Sequence, residues 1–75
     1  MSYLPFDLGR IAFAEGRIAP SESDCLEFAK ASENVLMARS DFYMGIAYAK
    51  AGQVFADTGK QISALQGAKM VGVQW

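Results

Sequence analysis

The sequence predicts an all-α fold, a small helical bundle of three helices, or four if the third is broken at Gly52 or Gly59. Three observations carry this. Apolar residues recur at the i, i+3, i+4, i+7 spacing of amphipathic helices. The long stretch from Ser40 to Gln66 contains no proline. Residues suited to helix starts, namely Pro5, Ser21 and the Ser40-Asp41 pair, stand ahead of the periodic segments.

The first helix is expected from about Phe6 to Arg17. Pro5 suits its first turn, where a missing N–H is harmless, and Asp7 favours its positive end. Leu4, Leu8, Ile11 and Ile18 share one side, while Phe6 and Phe13 lie on another, beside Arg10 and Arg17. Between them Gly9, Ala12 and Gly16 make a stripe of small residues.

Pro20 breaks the chain by disfavouring helix at Ala19. Ser21 then caps a second helix, expected over Glu22 to Ala38, with Asp24 as its capping-box partner in place of the usual Glu or Gln. Cys25, Phe28, Ala29, Ser32, Val35 and Leu36 form its apolar stripe. Ser40-Asp41 opens the third helix.

That third helix is patterned on two sides. Met44, Ala47, Tyr48, Ala51, Val54, Phe55, Thr58, Ile62 and Leu65 form an apolar stripe expected to cover the core. Gly45, Ala49, Gly52, Ala56, Gly59 and Ser63 form a second, small stripe. A glycine inside a helix costs about 1 kcal/mol relative to alanine. Glycines in register at 45, 52 and 59 therefore ask for the close approach of another backbone, by analogy with small-residue helix contacts in membranes. The expected neighbour is the first helix, glycine face to glycine face, or another copy of the chain. The alternative is that glycine ends a helix, with Asp57-Thr58-Gly59 a turn. The tail from Gly67 to Trp75 alternates Val71, Val73 and Trp75 with smaller or polar residues and is expected to be extended. Trp75 either folds onto the core or anchors a partner.

Segments 36 positions apart are weakly alike. Phe6, Leu8, Gly9, Gly16 and Ile18 fall on Phe42, Met44, Gly45, Gly52 and Val54. The span and the glycine pair resemble a tetratricopeptide unit. Asp57 and Gln61 stand where that family's second helix needs small and aromatic residues, so no membership is implied.

Composition bounds the function. A chain of 75 residues is expected to form one domain with a small core, and chains of this size usually need a staple or a partner. The lone cysteine, Cys25, can form no internal disulfide, and with no histidine in the chain no Cys–His metal site or histidine-based nucleophile is available. Cys25 reads as an inert core thiol. The net charge of −1 gives no field to draw nucleic acid or an anionic membrane. An acidic front half and a mildly basic back half are expected to attract each other. Neither a basic leader nor a membrane-spanning apolar run is visible, so a cytoplasmic location is expected.

Other chemical motifs fail on spacing. Gly52 and Gly59 are separated by six residues where a phosphate-binding loop has four, and Gln61 follows Lys60 where Ser or Thr is needed. Asp57-Thr58-Gly59 matches the aspartic-protease triplet but continues with Lys60 in a helical setting. Glu22, Asp24, Glu27 and Glu33 read as a solvated surface interleaved with Lys30.

The expectation is a non-enzymatic protein–protein interaction module without cofactor or metal. It would be an adaptor or inhibitor that dimerises or docks on a larger protein, and its size also suits a phage-encoded or accessory regulator. The alternative is a self-assembling subunit of a filament, ring or secretion device. The candidate packing or oligomer surface is Gly9, Gly16, Gly45, Ala49, Gly52, Ala56 and Gly59. The candidate partner surface is Phe6, Phe13, Arg10, Arg17 and Trp75.

Overall fold

The computed structural model describes residues 4–31 and 34–73, and these contain four α-helices and no strand. They are α1 (Pro5–Ala14), α2 (Glu22–Ala31), α3 (Val35–Thr58) and α4 (Ala64–Val71). The helix of 24 residues, α3, is the spine; α1 and α2 pack on one side of it and α4 folds back along another.

Three of the four helices begin at a side chain that accepts from their free N–H groups, and α1 begins at a residue with no N–H to satisfy. Pro5 occupies the first turn of α1. Ahead of α2, Ser21 Oγ accepts from the Asp24 N–H (3.2 Å) while Asp24 Oδ2 accepts from the Ser21 N–H (3.0 Å), a complete capping box with aspartate in the third position. The α2–α3 boundary departs from the sequence expectation. The described part of α2 runs to Ala31, and Asn34 caps α3, its Oδ1 accepting from the N–H groups of Leu36 (3.0 Å) and Met37 (3.2 Å). Ser40 and Asp41 therefore lie inside α3. The break at the other end is at Gly59, not Gly52: Gly59 has φ 73°, a left-handed conformation that ends the helix with its N–H bonded to the Phe55 carbonyl. Thr58 Oγ1 donates to the Val54 carbonyl and accepts from the Lys60 N–H, so the Asp57-Thr58-Gly59 triplet is a helix terminus. The expected extended tail is helical as far as Val71. Ser63 and Gln66 form a reciprocal capping box, and Gly67 and Ala68 are buried against α3.

The core is Leu8 and Ala12 of α1, Phe28 of α2, and Ala38, Phe42 and Ile46 of α3, with Phe13, Tyr43, Val71 and Val73 packed around it. Phe28 and Phe42 meet edge to face with centroids 5.6 Å apart. This corrects the expected core stripe of α3. Tyr48 and Phe55 are each 54% exposed, and Leu65 is exposed too. The buried face of α3 is Ala38, Phe42, Gly45, Ile46 and Ala47. α2 is also rotated from its expected face. Phe28 enters the core as expected, but Asp24 also points inward, while Cys25 is exposed rather than a core thiol, as are Ala29, Val35 and Leu36.

The inward face of α2 is set by Phe28, fully buried, and by the ion pairing of Asp24 one turn before it. Arg17 Nη1 donates to Asp24 Oδ2 (2.9 Å) and its Nη2 donates to Glu15 Oε1 (2.9 Å). Asp24 is only 6% exposed and is paired there with Arg17. Burial alone would raise the Asp24 pKa. The Arg17 guanidinium and the Ser21 hydrogen bonds outweigh it and hold the carboxyl below its usual 3.8. Among the described residues all ion pairs lie between positions 15 and 30, so the acidic front half is not paired with the basic back half.

A carboxyl whose pKa is depressed on folding stabilises the fold above its unfolded pKa and loses that contribution as pH falls through the folded value. Asp24→Asn is expected to cost about 2 kcal/mol at neutral pH. The gap from wild type should close below a pH of about 4. Urea midpoints of both proteins from neutral to acid pH read this directly; a gap that stays constant across the range would refute the role of the charge.

Candidate docking face

The α1–α3 contact explains two of the glycines. A Cβ on Gly9 would overlap the Phe42 carbonyl oxygen and lie 3.1 Å from the Ile46 nitrogen. A Cβ on Gly45 would overlap the Phe6 carbonyl oxygen and lie 3.2 Å from the Arg10 nitrogen. The helices run in opposite senses here, with Phe6 beside Tyr48 (centroids 5.7 Å apart) and Gly9 beside Phe42. The contact is reciprocal. Its members, 6 and 42, 9 and 45, 10 and 46, are counterparts 36 positions apart, so the weak internal likeness of the sequence becomes a local two-fold relation between α1 and α3. A third close approach was not expected: a Cβ on Gly67 of α4 would sit 2.6 Å from the Ala47 carbonyl oxygen.

The other expected glycine contacts are absent among the described residues. Gly16 has φ 78° and Gly59 φ 73°, and neither has a neighbour in reach of a Cβ. Both are helix stops. Gly52 lies inside α3, exposed, with nothing within 4 Å of a Cβ. Ala56 is exposed and Ala49 half-buried.

The surface around Gly52 is apolar and shaped. On one side a cleft of about 760 Å³ lies between α3 and α1, with Phe6, Asp7, Arg10 and Ile11 facing Tyr48, Ala49 and Gly52. On the other side a smaller cleft of about 400 Å³ is lined by Tyr48, Gly52 and Phe55 of α3, and by Ile62 and Ala64 from the turn into α4. Tyr48 and Gly52 border both. Phe55 belongs to this surface although its periodic position suggested the core. The sequence signal that could have placed it outside is the glycine stripe: once α1 is drawn onto Gly45, the larger residues of the neighbouring stripe are displaced from the contact.

The expected partner surface is divided. Phe6 and Arg10 border the larger cleft. Phe13 packs against the core, and Arg17 is held by Asp24 and Glu15, so these two serve the fold. Trp75 lies outside the described residues. A separate apolar patch, with Leu36 (78% exposed) and Met37 (61%), lies at the start of α3.

Among the described residues no cluster of acidic or cysteine side chains could hold a metal ion, and no helix is long and apolar enough to cross a membrane. In comparisons with known proteins, no protein-family model, curated protein or solved structure matched the chain.

Proposed function

We propose that the protein is a small, non-enzymatic interaction module whose working surface is the outer face of the second half of α3. The observation that carries this reading is the exposure of Tyr48 and Phe55 on either side of Gly52, with an apolar cleft on each flank. Large aromatic side chains left half in water beside a cleft mark a surface that another molecule covers. Asp7 and Arg10 at the edge of the larger cleft supply a polar rim of both signs, as protein interfaces have.

Photo-crosslinking tests the reading. A benzophenone side chain at position 55 should couple to protein in cells that make the chain, copies of itself included. The same group at Lys30, exposed on α2, should not. If position 55 captures no protein at all, or no more than position 30 does, the reading fails.

A further inference from the structure

The chain has seven glycines. Gly16, Gly59 and Gly72 have left-handed backbone, and Gly9, Gly45 and Gly67 each receive the backbone of another helix. Among the described residues Gly52 alone has neither reason, yet it stands within α3, where alanine would be better by about 1 kcal/mol. It is seven positions beyond Gly45, on the side of α3 that receives α1, so the exposed face continues an existing helix contact.

We infer that a second copy of this chain covers this face, through an antiparallel crossing of α3 with α3 centred on Gly52. The inference rests on the interaction reading above and names the partner. The α1–α3 crossing supplies the template. There, the residue three before each glycine is matched with the residue three after the other: Phe6 stacks beside Tyr48, and Phe42 and Ala12 enter the same core cluster.

Applied to Gly52 and its two-fold mate, that rule sets Ala49 of one copy under Phe55 of the other, and the reverse. One residue further out on each side, Tyr48 falls over Ala56. Every large side chain meets a small one, and the centre is glycine on glycine, where backbones can approach. The pattern is complementary to itself, which is what an isologous two-fold contact requires and what an unrelated partner does not.

The exposed area suits a weak dimer. Tyr48 and Phe55 are each 54% exposed, and an aromatic side chain offers about 200 Å². With Ala49, Gly52, Ala56 and the flanking Ile11 and Ile62, each copy offers about 400–500 Å², so the pair buries at most about 1,000 Å², the low end of the range, where contacts dissociate on dilution.

Sedimentation equilibrium over a wide concentration range tests the inference with wild type, Gly52→Leu, and a Leu36→Ser/Met37→Ser control at the other apolar patch. A Cβ at position 52 meets nothing among the described residues, so Gly52→Leu is expected to leave the isolated fold intact, and circular dichroism verifies its helicity. Wild type is expected to reach the mass of two chains and to dissociate on dilution. Gly52→Leu should raise the dissociation constant at least about tenfold, and the control should leave it unchanged. A wild type that stays monomeric, a dimer indifferent to Gly52→Leu, a dimer lost only in the control, or a mass that climbs past two chains each overturns the inference. The last would favour an open, self-assembling subunit. If wild type is monomeric while position 55 still crosslinks to another protein, the second copy is wrong and the interaction reading stands. If it crosslinks to nothing, both fall.

Discussion

Gly45→Ala is expected to destabilise the protein by about 2–3 kcal/mol, whereas Gly52→Ala is expected to stabilise the monomer by up to about 1 kcal/mol. The two positions lie in the same helix, seven residues apart, and differ in what a methyl group would meet. At Gly45 the new Cβ overlaps the Phe6 carbonyl oxygen, a backbone atom held in α1. It cannot rotate aside as a side chain could, so α1 as a whole must move off α3, loosening Leu8 and Ala12 in the core. At Gly52 there is only solvent, and the helix gains what alanine gives any helix. A chain of this size has a total stability of about 4–11 kcal/mol, so the Gly45 change removes a large share of it. Urea unfolding at concentrations where the chain is monomeric reads both. Equal midpoints for the two variants would show that the α1–α3 contact is looser than its geometry implies.

Phe42→Ala should cost more, about 4 kcal/mol. Phe42 is fully buried. Its ring meets Phe28 edge to face, and its carbonyl oxygen is the atom that faces Gly9. Truncation opens a cavity where α1, α2 and α3 converge, and the backbone contact with Gly9 holds α1 in place, so the helices cannot close the space without breaking the crossing. The expected result in thermal unfolding is a large fall in midpoint, or loss of a cooperative transition. Phe55→Ala, changing a ring of similar size that is half in solvent, should shift monomer stability by less than about 0.5 kcal/mol. If the two alanine variants melt together, the division of α3 into a buried and an outer face is wrong.

The helical class was legible because apolar spacing and capping residues act locally. Ser21 with Asp24, and Pro5 in the first turn, function as their sequence positions indicate. The close packing of Gly9 on Gly45 was also legible, since helix-interior glycines need a reason. The start of α3 was not. Ser40-Asp41 and Asn34 are both adequate caps, and the choice between them is made by Ala38 and Phe42, which enter the core together as positions i and i+4 of one continuous helix. The side of α3 that faces the core was misread for a related reason. Periodicity favours the stripe with the most large side chains, but α1 approaches α3 at Gly45, which brings the flanking Phe42 and Ile46 into the core and leaves Tyr48 and Phe55 outside. In α2, no periodicity could show that Asp24 would pair with Arg17 and face inward, with Cys25 outward. The helix α4 was hidden by β-branched residues and glycine, although Ser63 and Gln66 carried the capping signal.

The attachment of α2 has a consequence for how the fold comes apart. Its inward-facing side chains are Phe28 and Asp24, and the latter's hold depends on an arginine that is 35% exposed. By contrast, α1 and α4 are each locked to α3 where backbone meets glycine. Opening free energy is therefore unevenly distributed, lowest where few apolar contacts must be broken. Residues 22–31 form the segment that can detach while the rest persists, and its departure would bare Phe42 while leaving the outer face of α3 intact. Excursions of this kind set the background against which proteases and hydrogen exchange encounter the molecule, and they place its weakest point away from the surface assigned to binding.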